Sequence, residues 1–351
     1  MATHPPHRRA TLADVAQLAG VSQATVSKAL NGRADIATST RARVLDAVTS
    51  LGYRPTTARA ADTHRRALVV AFDIPASPYI MNVLQGVLAA ATDAQVDLLT
   101  RLAPDVGQRI ERTSARSWIA DQRAAGAIGL VGLTLSRPDA LLDAAAEASL
   151  PFVMVDPVDT QHARMVSVAS SNWAGSRAAA SHLIELGHRR IAWIGGPDTS
   201  TAARDRFYGY QAALDAAGIT VDPELVRTDQ FDVAAGARHA RDLLSTSAPP
   251  TAIMAADDEI AVGILATAHE LGVRVPHQLS VIGFDDTPQA AWTTPPLTTV
   301  HQHLDGMGRM AVETALTMAS GALPASRHTE LGTTLALRDT TAAPACGAQC
   351  E

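Results

Sequence analysis

Basic side chains gather at one end of this chain. Residues 1–66 hold ten Lys and Arg against four Asp, a net of +6, while the remainder holds 19 basic and 31 acidic residues, a net of −12. A small cationic head on a large anionic body suits contact with nucleic acid at one end only. A chance fluctuation of charge is the duller explanation, so a second signal must decide. Other chemistries leave weaker traces. Cys346 and Cys350, the two cysteines, form a Cys-x3-Cys pair, short of the four ligands that a structural zinc takes. Gly195-Gly196 follows an apolar run, yet no Gly-x-Gly-x-x-Gly completes a dinucleotide site. His301 and His303 read as solvated loop histidines before a metal or pH-sensing pair. No nucleophile elbow, phosphate loop or metal cluster stands out. Neither turnover nor a cofactor is expected.

The elements that must carry the basic end are short helices. Thr11-Leu12-Ala13-Asp14 has the spacing of a capping box, and it predicts a helix with Leu12, Val15, Ala16 and Ala19 facing inward. Gly20 can take the left-handed conformation that stops this helix, and Ser22 can cap the next. That second helix, over residues 23–30, buries Val26 and Leu30. Two such helices joined by a three-residue turn make a helix-turn-helix. Ala16, Gly20 and Val26 supply its small packing residue, its turn and its branched lock. A third helix over 39–51 brings Val44, Leu45, Val48 and Leu51 to the same core and ends at Gly52. This is the second signal.

From Ala67 on, apolar runs at 68–72, 96–99, 127–133, 152–155, 191–194, 251–255 and 280–284 alternate with helical stretches such as 80–92, 174–186, 207–216 and 258–271. Continuous apolar strands between helices predict parallel sheets covered on both faces. Two doubly wound lobes suit these strands, and 351 residues leave room for them. With 47% hydrophobic and 18% charged residues, the composition is that of a soluble globular protein. No run of about 18 apolar residues could span a membrane. The start lacks the apolar core of a signal peptide, and so few cysteines fit a reducing cytoplasm.

Thr11-Leu-Ala-Asp-Val-Ala-Gln-Leu-Ala-Gly-Val-Ser-Gln-Ala-Thr-Val-Ser-Lys-Ala-Leu-Asn-Gly32 resembles the head of the LacI/GalR family of bacterial transcriptional regulators, and Leu51-Gly-Tyr-Arg-Pro55 resembles the segment leading into that family's hinge. The resemblance runs from Thr11 to about Thr341. It implies that the second helix enters the major groove, with Gln23, Ala24 and Lys28 at base edges. The chemistry agrees: Gln can bond adenine, Lys guanine, and Ala can meet a thymine methyl. Lys28 is the only lysine of the chain. Thr11, Ser22, Thr25, Ser27, Asn31 and Tyr53 are the residues expected to cap or to hold phosphates, which position the head without reading sequence. The hinge departs from the family. Relatives follow the proline with Asn-x-x-Ala-Arg-x-Leu, whereas Pro55 here precedes Thr-Thr-Ala-Arg-Ala-Ala-Asp62. Arg59 is kept for the DNA backbone, but the minor-groove leucine wedge is missing.

Further on, His182-Leu-Ile-Glu-Leu-Gly-His-Arg-Arg-Ile-Ala-Trp-Ile-Gly-Gly-Pro197, Arg274-Val-Pro-His-Gln-Leu-Ser-Val-Ile-Gly-Phe-Asp-Asp286 and Thr294-Pro-Pro-Leu-Thr-Thr-Val300 are similar to the family's effector domain. This implies an all-α helix-turn-helix domain (1–54), a hinge (55–66), an effector-binding and dimerisation domain (67–341) and a tail (342–351). The effector domain would be α/β, two-lobed and like periplasmic binding proteins, with three crossovers and a ligand in the cleft. By motif, Arg206, Asp285 and Asp257 would meet the ligand, Phe231 would stack on it, and Asp73 and Tyr79 would lie on a first-lobe loop. Asp257 stands where relatives often carry Asn or Ser, and it could equally cap the helix that follows. Trp173 could floor the cleft or pack a lobe. The resemblance implies a homodimeric repressor of carbohydrate-utilisation genes, bound to a near-palindromic operator in the cytoplasm and released by a small sugar. The alternatives are a nucleobase- or nucleoside-responsive regulator and a sugar receptor with no DNA role.

Overall fold

The computed structural model describes residues 11–30, 36–51, 66–73, 77–104, 110–158 and 162–345. They fall into two compact units, divided between Arg65 and Arg66. The first contains α1 (Leu12–Ala19), α2 (Gln23–Leu30) and α3 (Thr38–Leu51). The capping box forms: Asp14 N–H donates to Thr11 Oγ1 at 3.3 Å and Thr11 N–H to Asp14 Oδ2 at 2.7 Å. Gly20 ends α1 at φ +65°, a conformation costly for any residue with a Cβ. Val15, Ala16, Ala19, Val26, Ala29, Val44 and Ala47 close the core. Leu45 and Leu51 depart from expectation, at 49% and 36% exposed. Val44 and Ala47 take the inward face of α3, and Leu45, one residue on, points about 100° away from it.

The second unit begins β1 (Ala67–Phe72), α4 (Pro78–Asp93), β2 (Asp97–Leu102), α5 (Arg112–Ala124), β3 (Ala127–Leu133), α6 (Asp139–Glu147), β4 (Phe152–Val155), β5 (Val166–Ser170). It continues α7 (Asn172–Glu185), β6 (Ile191–Gly195), α8 (Thr201–Ala216), β7 (Val226–Thr228), α9 (Val233–Leu244), β8 (Ala252–Ala255), α10 (Asp258–Glu270) and β9 (Ser280–Asp285). Last come α11 (Pro288–Trp292), β10 (Thr298–His301), α12 (Leu304–Ala319), β11 (His328–Leu331) and β12 (Thr334–Ala336). Two six-stranded sheets result, ordered β11-β5-β4-β3-β1-β2 and β12-β10-β9-β8-β6-β7. The pairings are parallel except that of β10 with β12.

The chain passes between the lobes at Ser171, at residues 302–303 and at 332–333. Two of these passages are bonded together: Ser171 N–H donates to the Leu331 carbonyl at 2.9 Å. In β1, Leu68 and Val70 enter one core with α4 and α12, while Val69 and Ala71 enter another with α5 and α6. Alternate residues of a strand point to opposite faces, so a sheet covered twice demands the unbroken apolar run seen in the sequence. The second lobe packs around Trp193, Tyr210 and Phe284. There α9 and α10 meet backbone to backbone, and a Cβ on Gly263 would overlap the Val233 carbonyl.

Candidate DNA-reading helix and effector cleft

In the N-terminal unit, Ser22 caps α2 by accepting from Thr25 N–H at 3.1 Å, and the two hydroxyls lie 2.8 Å apart. Val26 and Ala29 hold α2 to the core. Gln23, Ala24 and Lys28 are left exposed, while Thr25 and Ser27 are half-buried. Ala24 and Lys28 stand one helical turn apart on a common face. Asn31, Tyr53 and Arg59 lie outside the described residues, as do the hinge and the two cysteines.

In the body, candidate ligand residues collect at the carboxyl ends of strands, where open α/β sheets bind ligands. Arg206, in the second turn of α8, is buried. Its Nε donates to Asn172 Oδ1 at 2.7 Å and its Nη1 to the Ala256 carbonyl at 2.7 Å. The same Nη1 lies 3.2 Å from Asp285 Oδ1, and the guanidinium rests 3.9 Å from the Phe284 ring centroid. Gln302, on the second crossover, donates its Nε2 to Asp285 Oδ1 at 2.5 Å. Asp285 has φ +111°, a strained value for a residue with a Cβ, of the kind that gathers at functional sites.

Asp257 caps α10 by accepting from Ile260 N–H through Oδ1 at 2.7 Å. Its capping role is therefore real, and it occupies one oxygen. Asp258 is consumed by structure: it accepts from Thr287 N–H at 2.7 Å, Thr287 Oγ1 at 2.9 Å and Thr299 Oγ1 at 2.6 Å. Phe231 lies over Gly196 at the end of β6, so closely that a Cβ on that glycine would overlap the ring. Asp73, after β1, accepts from Ser136 N–H at 2.8 Å.

Three expectations need correction. Tyr79 lies in the first turn of α4, not on a loop, because Ser77 caps that helix ahead of Pro78. Trp173, directly after the Asn172 that Arg206 binds, is 46% exposed with Arg177 over its ring, so its side chain is not packed into the core of a lobe. His301 is no merely solvated side chain, since its Nδ1 meets Asp286 Oδ2 at 2.9 Å.

Sequence reasoning missed Asp156, Gln302 and Asn172. Asp156 directly follows β4, takes φ +43°, and accepts from the Tyr79 hydroxyl through Oδ2 at 2.5 Å. An acid at the end of an apolar strand, in Val155-Asp156-Pro157, was the available signal. The Ser170 backbone amide lies close enough to its carboxyl to ease the buried charge.

Burial sets the electrostatics. It pushes Asp257 up to about 7, against the helix amide and Arg206. It also lifts Asp285 well above the carboxylate range, though Arg206 opposes the shift and Asp257 adds to it. Burial raises Asp156, and it raises Tyr79 with help from the Asp156 charge. Such carboxyls hold protons in the folded chain that the unfolded chain has released. Each contributes stability that is present below the unfolded value and lost as pH rises through the folded one. Between about pH 4 and pH 8, the body is expected to lose more thermal stability than an Asp257→Asn variant, whose amide keeps the cap. Equal losses in thermal unfolding at both pH values would refute the assignment.

Between the lobes, a cavity of about 360 Å³ takes Ser136, Arg137, Asp139 and Val158 from the first lobe and Thr199 and Arg204 from the second. The lobes meet there as Thr201 Oγ1 donates to the Val158 carbonyl at 2.5 Å.

Residues 11–56 match the bacterial regulatory proteins of the lacI family, and residues 180–341 match the periplasmic binding protein-like domain. The regulator CelR of Thermobifida fusca is 34% identical over 316 residues, covering 86% of this chain and 89% of that protein. DegA of Bacillus subtilis is 32% identical over 95% of this chain and 98% of its own. A CelR–cellobiose complex superposes with a TM-score of 0.70 at 30% identity, over 95% of this chain and 100% of the other. A lac repressor dimer bound to operator and an anti-inducer gives 0.73 at 26%, over 96% and 100%. No helix among the described residues is long and apolar enough to cross a membrane. By sequence and by architecture, the chain belongs to the LacI family of bacterial regulatory proteins.

Proposed function

We propose that this protein is a sequence-specific repressor of carbohydrate-utilisation genes, released from its operator by a small sugar. One observation carries the sugar half: the cleft floor is a buried Arg206–Asp285 pair with further acid oxygens around it. Such a set offers many acceptors and a fixed donor fork, and a polyhydroxyl ligand satisfies both. The relative CelR was solved with cellobiose, and relatives of comparable identity are named ribose operon repressors. The exposed Gln23, Ala24 and Lys28 support the DNA half. One recognition helix reads only a half-site, so a two-fold dimer on a near-palindrome follows. Exposed Met81, Leu88, Leu102 and Trp292 are apolar area that a second copy can cover. The protein acts in the cytoplasm by binding, not turnover.

A ligand moves the lobes only by preferring one of their arrangements. Coupling of about 1–3 kcal/mol makes a change of roughly 5–150-fold in operator affinity. The test selects an operator from random duplexes and titrates the complex with cellobiose and other sugars in a gel shift. Release within that range is the expected result. Absence of any sequence-preferred DNA binding, or indifference to every sugar, would overturn the proposal.

A further inference from the structure

We infer that Asp286 is a positioning residue for the effector response: it clamps the end of β9, beside Asp285, to two of the three passages between the lobes. The inference rests on the proposed sugar response and assigns the residue that transmits it.

Two successive residues end β9 with positive φ, Asp285 at +111° and Asp286 at +57°. Such a backbone persists only where its surroundings hold it. Upstream, Asp285 is held by the pairing of β9 with β10, in which it lies opposite His301. Downstream, the amide and the hydroxyl of Thr287 both donate to Asp258. Between them, Asp286 commits both carboxyl oxygens to the protein. Oδ1 accepts from Arg338 Nη2 at 2.5 Å, and Oδ2 accepts from His301 Nδ1 at 2.9 Å. Arg338 is fixed in turn, with Nη1 on the Leu297 carbonyl at 2.8 Å and its N–H on Thr298 Oγ1 at 3.0 Å. A ligand is left to Asp285, and Asp286 acts through it.

The place of these partners along the chain gives the clamp its role. His301 ends β10, directly before the passage at 302–303. Arg338 follows β12, the strand by which the chain returns to the second lobe after 332–333 and pairs with β10. Gln302, on the outgoing passage, donates to Asp285 through both its Nε2 and its backbone N–H. Residues 285–286 therefore grip the chain as it leaves the second lobe and again after it comes back. Asp286 and His301 also line a cavity of about 270 Å³ between the lobes, opposite Asn82 and Gln85 of α4 and Asp305 of α12. Rotation of the lobes must turn the passages and reshape this space. With the clamp intact, a shift of Asp285 on ligand binding is carried to both passages. Without it, residues 285–286 can adjust locally and the passages need not follow.

The test measures coupling separately from binding, on the full-length protein. Fluorescence anisotropy of labelled operator is followed during titration with cellobiose, maltose and ribose. Any sugar that releases the protein is then titrated calorimetrically without DNA. Wild-type protein should show the change of about 5–150-fold in operator affinity that coupled sites give. Asp286→Ala should bind operator normally without sugar and keep its sugar affinity within about threefold, yet saturating sugar should change its operator affinity by less than about twofold. Arg338→Met and His301→Ala, each removing one arm, should fall between. Asp286→Asn should keep most of the response, because its amide oxygen can accept from Arg338 and its N–H can meet the other tautomer of His301. A residue that only stabilised the lobe would lower the thermal transition and leave the ratio of operator affinities unchanged. An Asp286→Ala protein with the wild-type ratio, or one that loses sugar binding along with the response, would overturn the inference and leave the sugar proposal standing. If Asp286→Ala does not fold, the two single-arm variants decide, and wild-type ratios in both overturn it. If the wild-type protein ignores every sugar, the proposed function falls and this inference with it.

Discussion

Arg206→Ala is expected to abolish the effector response while leaving specific DNA binding in place. The guanidinium is the group that opposes the rise burial imposes on Asp285, and it also ties α8 to Asn172 and to the Ala256 carbonyl. Removing one partner of a buried pair costs about 3–5 kcal/mol, because the other charge is stranded. Spent on the bound state, that is a loss of about a hundredfold or more in ligand affinity. Part of the cost will appear as lower stability of the body. It should be larger at pH 8 than at pH 5, since protonation of Asp285 relieves the stranded charge. Arg206→Lys should recover only part of the response, for an ammonium cannot reach Asn172, Ala256 and Asp285 as a planar fork does. Fluorescence anisotropy of labelled operator, with and without ligand, measures both halves. A variant that still releases operator at the wild-type ligand concentration would remove Arg206 from the site.

The legible parts of this molecule are those whose signals are local. The helix-turn-helix could be read because the capping box at Thr11–Asp14, the turn at Gly20 and the cap at Ser22 each act within four residues. The inner strands could be read because burial on both faces forces an unbroken apolar run. The unread strands are short and paired by distant chain. Strand β11, His328–Leu331, is mostly polar and becomes a strand by pairing with β5, some 160 residues earlier; β12 owes its existence to β10 in the same way. No local pattern marks either.

The cleft divides along the same line. Arg206 and Asp285 sit in motifs that resemblance could align. Asp156 and Gln302 are ordinary at the level of sequence, an acid before a proline and a glutamine between two histidines. Folding gives them meaning by bringing the ends of β4 and β9 to one cleft and placing a crossover against Asp285. Gln302 is therefore both a partner of Asp285 and part of the passage between lobes. A group bound at Asp285 would bear on the crossover segment to which Asp285 is hydrogen-bonded.

Lys28→Ala is expected to cost roughly 1–3 kcal/mol on the preferred operator and to relax selectivity at one base position. Val26 and Ala29 anchor α2 to the small core, so Lys28 and Ala24 are directed to the opposite, exposed side. On that side a long cationic side chain can reach guanine O6 and N7, and loss of such a contact penalises the right base more than a wrong one. Arg9, in the basic N-terminal segment outside the described residues, gives the contrast. Arg9→Ala should weaken all DNA sequences alike and flatten the dependence on salt, because a phosphate contact carries counterion release and no base information. Helix α2 keeps its cap at Ser22 and its buried anchors in the Lys28 variant, so folding of the unit should be unaffected by circular dichroism. Anisotropy on the selected operator, on its single-base variants and on random duplex separates the two roles. If Lys28→Ala lost equal affinity on operator and random DNA, Lys28 would be a phosphate contact, and base reading would have to rest on Gln23 and Ala24.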